Sequence, residues 1–325
     1  MSVEDRIISK LQQNFLNHWT ECIGIGDDAA VLPVSEENYI VSKDLLLEDK
    51  HFRLSYFDAN SLAHKAMNAN LSDIAAMGGV PTAILLGIGV PHELTKSWID
   101  EFLHHITLIC RENNISLIGG DTVGANSLCI SITIIGKTKR NRVKLRSGAS
   151  SGDIICVVGD LGEAYSGFIA LERGINGFEQ VKEKFLRPNA LTYQGQWLGA
   201  RSEITSMMDV SDGLYADLLK LSKASGVMVT IDIDSLFPSS NLINACSALG
   251  LDPVECMITG GEDYILFFTV APNNFDLLAA EFSEHFAQPI YKIGTIKHGE
   301  GLIFLRNGQA QQDLYQPFDH FKVDS

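Results

Sequence analysis

The chain has 325 residues, of which 46% are hydrophobic and 20% are charged, which suits one large or two medium folded domains and excludes a compositionally disordered protein. Its formal net charge of −15 argues against a nucleic-acid-binding surface, which would need clustered lysine and arginine. The first residues lack the basic-then-apolar order of a signal peptide and no apolar stretch is long enough to span a bilayer, so a cytoplasmic protein without a membrane partner is expected.

Apolar periodicity predicts the elements of the first half of the chain. Residues 3–15 should form an amphipathic helix, because their apolar side chains recur with the period of a helix. The elements expected next are a strand over 38–44, a helix over 58–77, a strand over 82–90, a helix over 93–112, and strands over 115–118 and 128–136 around a glycine turn. The small, polar run 146–152 predicts a boundary between domains 1–148 and 149–325.

The second half mixes strands and helices without strict βαβ alternation. The elements expected are a strand over 153–158, a helix over 162–172, helices near 190–203, 211–225 and 273–285, and strands over 227–233, 264–270 and 289–295. This order predicts an α+β or mixed α/β protein. The Asn-Leu-Ser-Asp run at 70–73 resembles the Asp-Val-Ser-Asp run at 209–212, and a glycine pair before acid follows each, which suggests two related halves. Both runs are expected to precede a helical stretch, with Asp73 at the start of, or within, an alanine-rich helix.

An Asp-Asp pair stands on a glycine turn near the start of the chain. The run 24–30 formally fits a dinucleotide-binding fingerprint. Two aspartates, Asp27 and Asp28, would repel the pyrophosphate that such a turn binds, so a site for a hard cation explains the run better. A solvated turn with helix-capping aspartates is the alternative.

Five further aspartates occupy similar positions at the ends of apolar elements or beside small residues. They are Asp44, Asp73, Asp121, Asp209 and Asp212. Each alone could be a helix cap or a turn residue. In a shared pocket they would repel one another, because two carboxylates about 4 Å apart cost ~4 kcal/mol at an effective dielectric constant of ~20. Mg²⁺ between carboxylates and phosphate oxygens offsets this repulsion and is the working part of phosphoryl transfer, so the pattern predicts a Mg²⁺-dependent phosphotransferase.

Two basic motifs are candidates for phosphate binding. The Gly-Lys-Thr run at 136–138 resembles the end of a P-loop, but the first glycine of that motif is missing and a predicted strand precedes the run. Arg146, followed by Ser147 and Gly148, is the better candidate, because a fixed cation stands beside flexible backbone. A surface arginine is the alternative.

The set of motifs resembles that of thiamine-monophosphate kinases. The matching runs are 24–30, 70–79, 118–122, 146–149, 209–214, 260–264 and the ending at 318–321, so the resemblance covers nearly the whole chain. It implies the two-domain fold of aminoimidazole ribonucleotide synthetase, with an N-terminal domain that binds ATP and Mg²⁺ and forms a homodimer. It also implies direct transfer of the γ-phosphoryl group of ATP to thiamine monophosphate, the last step of thiamine diphosphate biosynthesis.

The resemblance also implies roles for individual residues. The metal ligands would be Asp28, Asp44, Asp73, Asp121, Asp209 and Asp212, with Asp27 as a helper and Ser42 and Lys43 at the same strand end. ATP would be bound by Gly120, Asp121, Arg146 and Ser211, and thiamine monophosphate by His51, Glu262 and Phe318. The catalytic residues would be Asp73, Asp212 and Arg146.

One residue departs from the family pattern. Lys43 stands where the family has a small hydroxyl residue, and a lysine side chain does not ligate Mg²⁺. Its backbone carbonyl could still be a ligand, or its ammonium could replace one cation. Two other functions remain open: an aminoimidazole ribonucleotide synthetase, and a metal and nucleotide sensor without turnover on the same fold.

Overall fold

The computed structural model of the protein describes residues 27–34 and 37–311. The helix expected over residues 3–15 and the candidate substrate residue Phe318 lie outside this part of the chain. Within it, the strands form two sheets, and helices pack against both of them. This confirms the mixed α/β class that the order of elements predicts.

The first sheet packs one face against helices, and its other face is exposed. It contains β1 (Ala30–Val34), β2 (Glu37–Leu47), β3 (Val80–Pro91), β4 (Ser116–Ala125) and β5 (Cys129–Lys139), in the order β1-β2-β5-β3-β4. Helices α1 (Ala59–Ala76) and α2 (Lys96–Glu112) belong to this half. Every second residue of β5 is buried, and Ile130, Ile132 and Ile134 share one apolar cluster with residues of α1.

Helix α1 begins and ends at residues whose chemistry favours helix boundaries. The Asp58 carboxylate accepts a hydrogen bond from the Ser61 N–H (2.6 Å), and the Ser61 hydroxyl accepts one from the Asp58 N–H (3.0 Å), which forms a capping box. Gly78 follows the helix with φ of +69°, a backbone conformation that glycine adopts without strain. The helix therefore spans close to the length that the sequence predicts.

Two expectations about this half are wrong. Gly119 and Gly120 lie inside β4 rather than in a turn, because β4 pairs in parallel with β3 as far as Ala125. A Cβ atom at residue 120 would lie 1.9 Å from the Leu86 carbonyl oxygen. Glycine, which has no Cβ atom, therefore allows β3 and β4 to approach each other closely at this point. The run 70–73 does not precede a helix but lies in the C-terminal part of α1, inside the helix expected over 58–77.

The second sheet and its helices form the C-terminal half of the described chain. It contains β6 (Ile154–Val158), β7 (Ile204–Asp209), β8 (Met228–Asp232), β9 (Leu266–Val270), β10 (Tyr291–Lys297), β11 (Gly301–Arg306) and β12 (Gln309–Gln311), in the order β12-β11-β8-β10-β6-β9-β7. The helices of this half are α3 (Glu163–Glu172), α4 (Glu179–Leu186), α5 (Thr192–Gly199), α6 (Leu214–Ser225), α7 (Ser240–Leu249), α8 (Pro253–Thr259) and α9 (Pro272–Phe286). Sequence periodicity finds most of the longer elements, misses β1, α4, α7, α8, β11 and β12, and gives no range for β7.

Helix α1 joins the two halves. Its residues Leu62 and Met67 belong to the apolar cluster of the first sheet, whereas Ala75 and Ala76 belong to the cluster of the second sheet. The domain boundary between residues 148 and 149 stays a prediction. Across residues 27–34 and 37–311, no helix combines the length and the apolar character that crossing a membrane requires.

Candidate active site

A cleft of about 490 Å³ lies where α1 and β2 face the segments around β7 and before β9. Its polar lining includes Asp28, Ser42, Lys43, Asp44, His51, Lys65, Asp73, Arg146, Asp209, Ser211, Asp212, Lys220 and Glu262. Its aromatic lining includes Phe52, Tyr56, Tyr165, Phe168, Phe185 and Tyr264. The cleft thus brings together most of the residues that the sequence singles out.

Three carboxylates from different parts of the chain converge in this cleft. One oxygen each from Asp28, Asp73 and Asp209 lies within 4.8 Å of the others, and we call this group the acidic trio. Asp28 precedes β1, Asp73 lies in α1, and Asp209 is the last residue of β7. Carboxylate oxygens at this spacing are the donor set that Mg²⁺ and similar hard cations prefer, so these residues fit a metal ion.

Serine hydroxyls hold the acidic trio in place. Ser72 donates to Asp209 Oδ2 (2.6 Å), so the two similar runs noted in the sequence meet in space. Ser42 donates to Asp73 Oδ2 (2.5 Å) and lies 3.1 Å from the Asp28 carbonyl oxygen. These bonds fix carboxylates that would otherwise repel one another.

Burial and mutual repulsion favour the protonated forms of these acids. Burial, together with the neighbouring carboxylates, raises the pKa of Asp73 and Asp209 well above the usual range. Burial and the charge of Asp212 raise the pKa of Asp44 to about 6. A divalent cation in the cleft would reverse this preference, because it stabilises the ionised carboxylates.

The gain in Tm from Mg²⁺ should be larger at about pH 7.5 than at about pH 5. In the metal-free protein the pKa of Asp44, which lines the cleft, is about 6, above the ordinary 3.8. The folded state therefore binds more protons than the unfolded chain, and the stability that this contributes is full below about pH 4 and lost as the pH passes about 6. Mg²⁺ should restore that loss, and thermal unfolding with and without Mg²⁺ at both pH values measures it.

Asp263 provides an internal comparison for this experiment. Burial raises its pKa to about 7, and its carboxylate accepts hydrogen bonds from the N–H groups of Gly162 and Ala164 rather than lining the cleft. Its contribution to the pH dependence should be the same with and without Mg²⁺. Equal Mg²⁺-dependent gains in Tm at both pH values would contradict a cation site at the acidic trio.

Arg146 places a fixed cation beside the acidic trio. Its guanidinium donates two hydrogen bonds to the Asp28 carboxylate, from Nε to Oδ2 (3.1 Å) and from Nη2 to Oδ1 (3.0 Å). Its backbone N–H donates to Asp27 Oδ1 (2.8 Å). Asp27 does not line the cleft, and its role as a helper of the metal ligands stays a prediction.

Ser211 and Asp212 lie on the turn between β7 and α6. The buried carboxylate of Asp217 accepts hydrogen bonds from the N–H groups of Ser211 (3.0 Å) and Asp212 (3.1 Å), which shapes the turn. The Lys220 ammonium contacts the Asp212 carboxylate and bonds to Asp217 Oδ1 (2.8 Å). The sequence analysis did not identify Asp217 and Lys220. A helix was expected over 211–225, and residues 217 and 220, three positions apart on it, lie on the same face, which could have indicated the pair.

Lys43 has a different environment from the residues beside it. Ser42 bonds to the acidic trio, whereas the Lys43 ammonium donates to Ser131 Oγ on β5 (2.5 Å). Successive residues of a strand face opposite sides of a sheet, which explains the difference. This contact gives no support to the alternative in which the ammonium of Lys43 replaces a cation between the carboxylates.

Gly120 and Asp121 do not reach the cleft within one chain. Asp44 pairs with Ile132, Ile132 with Leu86, and Leu86 with Gly120, so β4 lies three strand spacings from β2. This separation is about 14 Å. Asp121 is exposed on β4, and its carboxylate accepts a hydrogen bond from the neighbouring Thr122 N–H.

The candidate substrate residues His51 and Glu262 both line the cleft. His51 Nδ1 accepts a hydrogen bond from the Leu47 N–H (3.0 Å), which fixes the ring at the end of β2. The Glu262 N–H donates to the Ser211 carbonyl oxygen (2.7 Å), which joins it to the turn after β7. The role predicted for Phe318 stays a prediction.

Comparison with known proteins identifies the family. Two family models match the chain: AIR synthase related protein, N-terminal domain, over residues 26–138, and its C-terminal domain over residues 150–305. Thiamine-monophosphate kinase of Bacillus subtilis (strain 168) is 31% identical over 97% of this chain and 98% of its own length. The chain belongs to the thiamine-monophosphate kinase family. The corresponding kinase of Escherichia coli (strain K12) is 33% identical over 92% of each chain.

Solved structures agree with this assignment. A structure described as AaThiL complexed with AMPPCP and TMP is 28% identical, has a TM-score of 0.83, and matches 98% of this kinase and 96% of that chain. Thiamine-monophosphate kinase from Stenotrophomonas maltophilia K279a is 33% identical with a TM-score of 0.77 over 94% and 96% of the two chains. The hydrogenase maturation protein HypE, at 19% identity and a TM-score of 0.70, shares the fold. This kinase is therefore a phosphotransferase of the two-domain AIR synthase type.

Proposed function

We propose that this kinase transfers the γ-phosphoryl group of ATP directly to the phosphate of thiamine monophosphate and forms thiamine diphosphate and ADP. The observation that carries the proposal is the acidic trio in a cleft that also contains Arg146 and an aromatic wall. Carboxylates suit a metal–nucleotide complex, and aromatic side chains suit a heterocyclic acceptor. Similarity to the thiamine-monophosphate kinase of Bacillus subtilis, and to AaThiL complexed with AMPPCP and TMP, supports the same substrate pair.

The acidic trio, with Asp44 and Asp212 nearby, would hold Mg²⁺. When bound, Mg²⁺ supplies charge neutralisation at phosphate oxygens. Asp28, Asp73 and Asp209 act by fixing where that charge lies, because the serine bonds to Asp73 and Asp209 restrict their rotamers. Arg146 can bind a phosphate oxygen through the same fork of N–H groups that now binds Asp28.

The protein has little covalent chemistry to perform in this reaction. The attacking atom is a phosphate oxygen that is already ionised near neutral pH, so a general base is unnecessary. Catalysis then depends on holding the two phosphates in line and on stabilising the charge between them. No phosphorylated enzyme intermediate is expected.

The first sheet offers a surface for a second copy of the chain. Its outer face exposes large apolar side chains, with Leu45 49%, Leu117 53% and Val123 56% accessible. Gly120 and Asp121 lie on the same edge strand, β4, away from the cleft of their own chain. A homodimer through this face would cover the apolar residues and let β4 serve the nucleotide across the interface. A monomer in sedimentation equilibrium at micromolar protein concentration would contradict this part of the proposal.

A direct product assay tests the function. The purified protein is mixed with ATP, Mg²⁺ and thiamine monophosphate, and thiamine diphosphate is separated from its precursor. Thiamine diphosphate and ADP in equal amounts, abolished by EDTA, are the expected result. ADP without thiamine diphosphate would indicate another acceptor, such as that of aminoimidazole ribonucleotide synthetase. ATP binding without any turnover would indicate a metal and nucleotide sensor.

A further inference from the structure

A buried lysine lies in the wall of the cleft and was not among the residues that the sequence indicated. Lys65 is on α1, only 1% exposed, and lines the cleft together with Ala69 and Asp73 of the same helix. Lysine is among the residues least often buried unless its charge has a partner. We therefore expect an oppositely charged partner for Lys65 inside the cleft.

The partner of Lys65 is Glu262. The Lys65 ammonium contacts Glu262 Oε2 and lies over the Phe185 ring, 3.9 Å from its centroid, with the Phe57 centroid at 5.5 Å. Burial lowers the pKa of Lys65 well below its usual value. A carboxylate in contact with an ammonium and aromatic faces beside it favour the charged form, and Lys65 has both. Water is largely excluded from the ammonium, which strengthens its attraction to the carboxylate.

Glu262 is held in an unusual backbone conformation. Its φ is +67°, in the left-handed region that few residues other than glycine adopt, and its N–H bonds to the Ser211 carbonyl oxygen. Its side chain is 27% exposed and faces the cleft. The contact with Lys65 ties this loop residue to α1, the helix that carries Asp73, although the two residues are 197 positions apart in sequence.

The pair stands beside aromatic rings. The Phe185 ring centroid lies 5.7 Å from that of Phe57 and 5.2 Å from that of Phe168. Rings and a fixed carboxylate together suit a planar heterocycle that carries hydrogen-bond donors. A freely rotating glutamate would have to lose side-chain entropy when it binds such a group, whereas a glutamate already held by Lys65 would not.

We propose that Lys65 is a positioning residue for the acceptor substrate: it holds one oxygen of Glu262 so that the carboxylate is fixed toward an amino-heterocycle in the cleft. The inference rests on the proposed function, because thiamine monophosphate is the acceptor that would use this carboxylate. Lys65 itself acts through Glu262 rather than by touching the substrate.

The test replaces Lys65 with methionine, which has a similar length and no charge. Lys65→Met is expected to raise the KM for thiamine monophosphate about tenfold or more, the effect of losing a charge-assisted bond, and to leave the KM for ATP unchanged. Lys144→Met is the matched control, because Lys144 is also buried but donates to the carbonyl oxygens of Arg201 and Ile204 and does not line the cleft. Its KM for thiamine monophosphate should not change.

A double-mutant cycle separates positioning from direct binding. Glu262→Gln alone should raise the KM for thiamine monophosphate, and adding Lys65→Met to it should raise the KM no further. Independent, multiplying effects would mean that Lys65 binds the substrate itself and would overturn the proposal. So would an unchanged KM in Lys65→Met.

Two further measurements keep the test decisive. If Lys65→Met does not fold, Lys65→Gln retains a donor for Glu262, and it should show a smaller, still selective rise in the KM for thiamine monophosphate; an unchanged KM would overturn the inference. If the wild-type protein forms no thiamine diphosphate, the proposed function fails. If the wild type is active and the variants have an unchanged KM, only the role of Lys65 fails.

Discussion

Replacing Asp73 by asparagine is expected to lower kcat by at least about 10²-fold at saturating Mg²⁺. Asp73 lies in the acidic trio, and asparagine removes the charge that would hold the cation while it keeps the size of the side chain. The metal-free variant should remain folded and gain stability at neutral pH, because burial and the neighbouring acids already disfavour the ionised form of Asp73 by raising its pKa. Steady-state kinetics and thermal unfolding measure the two effects.

A matched control and a graded comparison sharpen this prediction. Asp100→Asn, on the exposed side of α2, removes a carboxylate that does not line the cleft and should leave kcat unchanged. Asp212→Asn should lower kcat less than Asp73→Asn, because Asp212 is paired with Lys220 and lies outside the acidic trio. Near-normal kcat in Asp73→Asn would refute its role as a metal ligand.

Replacing Arg146 by methionine should reduce both stability and activity. The side chain of Asp28 is only 2% exposed, and Arg146 is its ion-pair partner. Removing the partner of a buried charge costs roughly 3 kcal/mol. The same change removes the guanidinium proposed to bind a phosphate oxygen, so kcat/KM for ATP should fall about 10²-fold or more.

A lysine at position 146 separates charge from geometry. Arg146→Lys retains the positive charge and loses the fork that donates two bonds to Asp28. Arg146→Lys should therefore retain part of the stability that Arg146→Met loses, and a smaller part of the activity. Denaturant unfolding without ligands gives the first quantity and ATP-dependent kinetics the second. Wild-type kcat/KM in Arg146→Met would remove this residue from the catalytic group.

The amino-acid sequence by itself determined the features that depend on local interactions. Alternating apolar residues predicted β5, and the Gly-Gly pair after residue 77 predicted the end of α1, because side-chain period and backbone freedom act over a few residues. The order of acidic runs indicated cation and phosphate chemistry, since carboxylates beside small residues favour hard cations wherever the chain brings them together.

Only the tertiary structure decided which of these residues meet. It brought Asp28, Asp73 and Asp209 within 4.8 Å of one another, whereas strand order left Asp121 on the far edge of its sheet. It also paired Lys65 with Glu262, a contact across 197 positions that no local pattern signals. The reason is that strand register and helix packing follow from burial over the whole chain, so the partner of a buried charge is fixed only when the two halves have folded against α1.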